Sequence, residues 1–138
     1  MRPIIFRGKR VDNGEWVYGF YVKAEYHWHE HGRHKDWLIC SACANGGWFV
    51  IHGRYPVDAE TVGQYTGLTD KNGNKIFEGD IIRWTTSTYY PTVIIEFFDG
   101  VFVIKDKGNH LKAPLYHYCH LVEVIGNIHD NPELLEVE

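Results

Sequence analysis

Apolar and polar residues alternate along most of this chain, in runs of four to eight punctuated by glycine. That is the period of half-buried strands, and too short for stable helices. The clearest run is Thr92 to Phe98. Val93, Ile95 and Phe97 share one face, opposite Thr92, Ile94, Glu96 and Phe98, so one face is wholly apolar and the other mixed. Asp99-Gly100 then leads into Val101 to Lys105, which predicts a hairpin with a two-residue turn. A matching hairpin is expected at the start of the chain, where Ile4 to Val11 and Glu15 to Lys23 flank Asn13-Gly14. If those two residues form the whole loop, Lys9 faces Tyr18, Arg7 faces Phe20 and Gly8 lies opposite Gly19. Two cations would then lie over aromatic rings on one face, and a three-residue loop would shift the pairing.

Shorter signals fill the remainder. Ala24 to Lys35 is polar, histidine-rich and reads as a loop, while Trp37 to Cys40 and Trp48 to His52 read as strands separated by Asn45-Gly46-Gly47. Asn72-Gly73 offers positive-φ positions for a tight turn between Val62 to Leu68 and the pair Ile76-Phe77. Glu78-Gly79-Asp80 turns the chain into the β-branched and aromatic run Ile81-Ile82-Arg83-Trp84. After a break at Lys107-Gly108-Asn109, Leu121 to Ile128 restores a strand. Asn131-Pro132-Glu133 has the order of a helix cap, a first-position proline and a first-turn acid, which predicts a short C-terminal helical turn. Periodicity alone therefore gives an antiparallel all-β protein, barrel or sandwich.

Composition narrows the class. The chain has 138 residues, 44% hydrophobic and 15% aromatic, with 14 glycines, as in a globular β-rich domain or two small ones sharing a core. No apolar run approaches the roughly 18 residues of a membrane span, and the N-terminus has no signal-peptide core, so a cytoplasmic protein without a membrane role is expected. A net charge of −4 argues against a nucleic-acid partner. Charge is also segregated: Arg2, Arg7, Lys9 and Arg10 open the chain, and Asp130, Glu133, Glu136 and Glu138 close it. Such ends can attract each other within a chain or between subunits.

Candidate chemistry is sparse. His27-Trp28-His29-Glu30-His31 fits H-x-x-E-H, a zinc-protease pattern that needs a stable helix. Gly32 follows at once and no helical apolar stripe flanks it, so a metal-dependent hydrolase is a remote alternative, and His27, His29 and His31 share one side of an extended loop. Cys40 and Cys43 have the spacing of half a zinc site. Two further ligands could come only from Cys119, His120 or the His27 to His34 group through the fold, so no metal and no other cofactor is expected. Asp58 and Glu60, like Asp70, Glu78 and Asp80, stand beside proline or glycines, where acids serve turns and caps; no catalytic residue is assigned. Trp84, Tyr89 and Tyr90 are different. They border a polar loop, and small β-domains use such aromatics to hold peptides or stack bases. Tyr116 and Tyr118, beside His117, make a second aromatic group that could join them.

Thr61 to Asp80 reads T-V-G-Q-Y-T-G-L-T-D-K-N-G-N-K-I-F-E-G-D. With F-R-G-K-R at Phe6 to Arg10, N-G-E-W-V-Y-G at Asn13 to Gly19, V-D-A-E-T before it and V-I-G-N-I-H-D-N-P-E-L-L at Val124 to Leu135, it resembles the YopX-like proteins of phages and prophages. The resemblance implies an SH3-type barrel over residues 57–138, packed on an N-terminal hairpin region over 1–56, acting inside a host bacterium. It implies no activity. The function expected is that of a phage accessory protein working as a protein-interaction or self-assembling module, homo-oligomeric or bound to a host or phage protein. A nucleic-acid-associated accessory protein is the alternative.

Overall fold

The structure, a computed structural model, describes residues 3–23, 36–43, 49–85, 92–106, 108 and 112–135. In the strands over 36–43 and 49–56 it describes side chains at 38 and 53–56. It consists of two antiparallel sheets with one short α-helix among the described residues. Contacts divide the chain into two units, Met1–Gln64 and Tyr65–Glu138.

Unit 1 contains β1 (Phe6–Lys9), β2 (Trp16–Lys23), β3 (Asp36–Cys43), β4 (Phe49–Pro56) and the first residues of β5 (Gly63–Thr69), in the order β4-β3-β2-β1-β5. The hairpin of β1 and β2 forms, with a register different from the one expected. Arg7 lies opposite Tyr18, Gly8 opposite Val17 and Lys9 opposite Trp16. The loop has four residues, because Arg10 N donates to the Glu15 carbonyl (2.9 Å) and Gly14 N to the Arg10 carbonyl (3.0 Å). A two-residue primed turn needs positive φ at both central positions. Here Gly14 alone has it, at 71°, and Asn13 uses its side chain to accept from Glu15 N instead. The slip of two residues keeps every side chain on its expected face. The cations thus remain over an aromatic ring, but both Arg7 and Lys9 stack on Trp16, at 4.8 and 5.5 Å.

The opposite face of this sheet is the interior. Leu38 and Val57 are buried there, and Phe6 packs on Tyr21 with ring centres 5.7 Å apart. Gly8 fits closely at its position: a Cβ would stand 3.2 to 3.3 Å from side-chain atoms of Leu38, Val62 and Val57, which would have to shift by a few tenths of an ångström. Beyond β4, Val57 bridges Arg10, and a 3-10 turn at Ala59–Thr61 is capped by the Asp58 carboxylate. Thr61 Oγ1 accepts from Lys9 N and donates to the Asp58 carbonyl, which ties that turn to β1.

Unit 2 begins within β5, which pairs with β6 (Lys75–Phe77). Its sheet has the order β10-β9-β8-β7-β11, from β7 (Asp80–Trp84), β8 (Thr92–Phe98), β9 (Val101–Lys105), β10 (Lys112–Pro114) and β11 (Val122–Asn127). Helix α1 (Leu115–Tyr118) and a 3-10 turn at Cys119–Leu121 join β10 to β11, and the chain closes in a 3-10 turn at Pro132–Leu135. Asn131 was expected to cap that last turn; its side chain instead accepts from Asn127 N. The hairpin at Asp99-Gly100 is the two-residue turn expected, with φ of 51° and 84° and Phe98 opposite Val101. Among the described residues the sheet has two edges, β10 and β11, and does not close as the barrel that the resemblance implies would. Its core is the apolar face read from the sequence. Val93 and Ile95 pack there with Ile82, Ile104, Val122, Ile76 and Leu115.

Candidate functional site

The motif-rich turn between β5 and β6 is organised around one buried carboxylate. Asp70 Oδ1 accepts from Asn72 N (2.9 Å) and Asn74 N (2.8 Å), and Oδ2 from Asn74 Nδ2 (3.3 Å) and Val124 N (2.9 Å). Burial pushes the Asp70 carboxyl up, but these hydrogen bonds outweigh it and hold the carboxyl below its usual range. Gly73 alone supplies positive φ, at 84°; Asn72 does not. Lys71 N donates to the Val122 carbonyl, so this turn satisfies the outer edge of β11 as a further strand would. Asp80, also buried, accepts from Phe77 N (2.8 Å) and shapes the turn at Gly79. These carboxylates hold backbone in place, as Asp58 does in unit 1.

The aromatic residues singled out in the sequence are brought together in part. Along α1 the spacing i, i+3, i+4 puts Leu115, Tyr118 and Cys119 on the inner side, Leu115 wholly buried and the other two packed against the core. Tyr116 and His117 face outward, and Tyr116 is 59% exposed. Trp84, the last residue of β7, pairs with Val122, and Thr85 donates both its N–H and its hydroxyl to the Leu121 carbonyl. That tie sets the Trp84 ring 4.9 Å from Tyr118. His117 is 6.1 Å from Tyr118 and 4.2 Å from Tyr116, so four rings form a row from the half-buried Trp84 to the exposed Tyr116. Tyr89 and Tyr90 lie outside the described residues.

One aromatic group was missed in the sequence. At the tip of the β8–β9 hairpin, Phe97 is 51%, Phe98 46% and Val101 43% exposed. Phe97 meets Phe102 edge to face at 5.1 Å, and Lys112 Nζ lies 3.5 Å from the centre of the Phe98 ring. The signal was F-F-D-G-V-F, apolar on both faces of a hairpin where one polar face is the rule.

For metal ligands, among the described residues no group of three His, Cys, Asp or Glu could hold an ion. Residues His27 to His34 lie outside the described part. Of Cys40 and Cys43 the backbone is described, on β3 opposite Gly53 and Phe49. Among the described residues no helix is long and apolar enough to cross a membrane.

The sequence pattern of the YopX protein family matches residues 5–136. The chain belongs to the YopX family. A solved structure similar to this YopX-family chain is the crystal structure of protein EF1440 from Enterococcus faecalis, with 26% identity, 98% of this chain and 99% of that chain covered, and a TM-score of 0.57. No curated protein matches. The family match includes Thr61 to Asp80, the segment in which Asp70, Gly73, Gly79 and Asp80 carry turn geometry.

Proposed function

We propose that this YopX-family protein works by binding another protein rather than by catalysis, with the row Trp84, Tyr118, His117 and Tyr116 as its recognition surface. The observation that supports this reading is the continuity of the row. Its inner end is fixed to the core and its outer end, Tyr116, stands in solvent, an arrangement that presents large rigid area at small entropic cost. The setting implied by the family resemblance is the cytoplasm of a bacterium carrying a phage or prophage. The carboxylates of Asp58, Asp70 and Asp80 support the same reading, since each accepts a backbone N–H.

The test is affinity capture from phage-infected cells with nuclease treatment, followed by binding of the identified partner to purified protein. Tyr116→Ser leaves the fold intact, as the residue lies outside the core, and is expected to lower that affinity at least tenfold. Unchanged affinity in the variant would overturn the reading. A nuclease-sensitive capture would favour the nucleic-acid alternative.

A further inference from the structure

The β8–β9 hairpin is longer than the strands beside it. On one edge the pairing of β7 with β8 ends at Ile81 and Ile94, and Gly79 N donates to the Ile95 carbonyl just beyond it. On the other edge β10 ends with Pro114 opposite Val103, and the chain then turns into α1. Beyond those points the hairpin continues through Glu96, Phe97 and Phe98, over Asp99-Gly100, and back through Val101 and Phe102; Phe102 packs against the core and the 3-10 turn at Pro132–Leu135 touches β8, so the exposed part is the end from Phe97 to Val101. At a rise of about 3.4 Å per residue the overhang is about 10 Å long. A two-stranded ribbon is marginal in water on its own. This one also exposes large apolar side chains on opposite faces: Phe97 on the core side, and Phe98 and Val101 on the other.

We infer that this arm is a self-association surface that receives the arm of a second copy of the chain, antiparallel, about a two-fold axis near Phe98. The inference rests on the reading of the protein as a binding module and supplies a surface distinct from the aromatic row. Charge selects the second copy. Lys105 and Lys112 are directly opposite each other across β9 and β10, an unfavourable like-charge pair. Glu96 answers Lys105 at 3.3 Å, while the ammonium of Lys112 lies over Phe98, one residue from the acid at the apex, Asp99. A two-fold through this region sets the Asp99 of each copy beside the Lys112 of the other and Phe98 against Phe98. The surface is thus complementary to itself in charge and in apolar character, as an isologous contact must be. The apex is a two-residue turn with both residues in left-handed conformation, so the turn is formed before contact.

Sedimentation equilibrium of the full chain at micromolar concentration tests it. The expected result is a species of about twice 16.1 kDa, with Phe98→Ser/Val101→Ser raising the dissociation constant at least tenfold while circular dichroism stays unchanged. Lys112→Glu is expected to weaken the dimer by repelling Asp99, and adding Asp99→Asn to recover part of the loss. A single 16.1 kDa species in the wild type would overturn the inference. So would self-association that is indifferent to all of these substitutions. Partner capture through Tyr116 is scored separately in the Phe98→Ser/Val101→Ser variant; its retention there, with loss of the dimer, shows the arm and the aromatic row acting independently.

Discussion

Two turns of unit 2 use the same residue types for opposite purposes. Between β5 and β6, Asp70 is buried, points its carboxylate inward and gathers four N–H donors; between β8 and β9, Asp99 is exposed and contributes a backbone conformation, φ 51°. Each turn also has a glycine at φ 84°, Gly73 and Gly100, with open space around it. An aspartate before a glycine is therefore not one signal but two. Where the side chain is the scaffold, the turn can run to five residues and reach across to another strand. Where the backbone is the scaffold, the turn is two residues and closes its own hairpin.

The difference is most sharply broken at Asp70. Asp70→Ala leaves Val124 N, Asn72 N and Asn74 N without their acceptor and is expected to cost about 3 kcal/mol in urea unfolding, since hydrogen bonds to a charged group are worth roughly 1.5–3 kcal/mol each and part is regained from water. Acid gives a gentler perturbation of the same group. Its folded value lies below the ordinary 3.8, so its contribution is fully present above that value and is lost as pH falls through the lowered folded value. Stability followed from pH 7 downwards is expected to decline less steeply in Asp70→Asn than in the wild type, since the amide has no proton to gain. The glycines should behave alike. Gly73→Ala and Gly100→Ala are each expected to cost about 1 kcal/mol, because left-handed backbone is the common penalty and neither Cβ meets a neighbour. Unequal costs would mean that side-chain surroundings matter at one of them. Smallest is Asp99→Asn, expected within about 0.5 kcal/mol, as asparagine tolerates the same conformation and the position is exposed.

Much of this fold was legible locally. Alternation located β8, β9 and their apolar face, and Asp99-Gly100 fixed their register through turn geometry. The same rule applied to Asn13-Gly14 predicted a loop two residues too short, because Asn13 satisfies Glu15 N with its side chain and leaves positive φ to Gly14 alone. Faces survived that slip and register did not: Arg7 lies opposite Tyr18, Lys9 opposite Trp16, and Trp16 receives both cations. The aromatic row was visible as residue types, but the stacking of Trp84 on Tyr118 depends on β11 lying beside β7, a pairing of segments about 40 residues apart. The exposed tip of the β8–β9 hairpin was overlooked for a different reason. A strand's exposure depends on the lengths of its neighbours, and β7 and β10 stop short for reasons outside the hairpin itself.

The carboxylate of Asp70 joins two scales of the chain in one group. Its bonds to Asn72 and Asn74 span two and four residues, whereas its bond to Val124 spans 54. The short bonds can form as soon as the turn does, and the long one must wait for loop closure over most of unit 2. A turn assembled early therefore presents a finished acceptor to the last strand of the sheet. The two oxygens of a single side chain thus serve both scales: Oδ1 binds only within the turn, and Oδ2 binds the turn through Asn74 and the last strand through Val124.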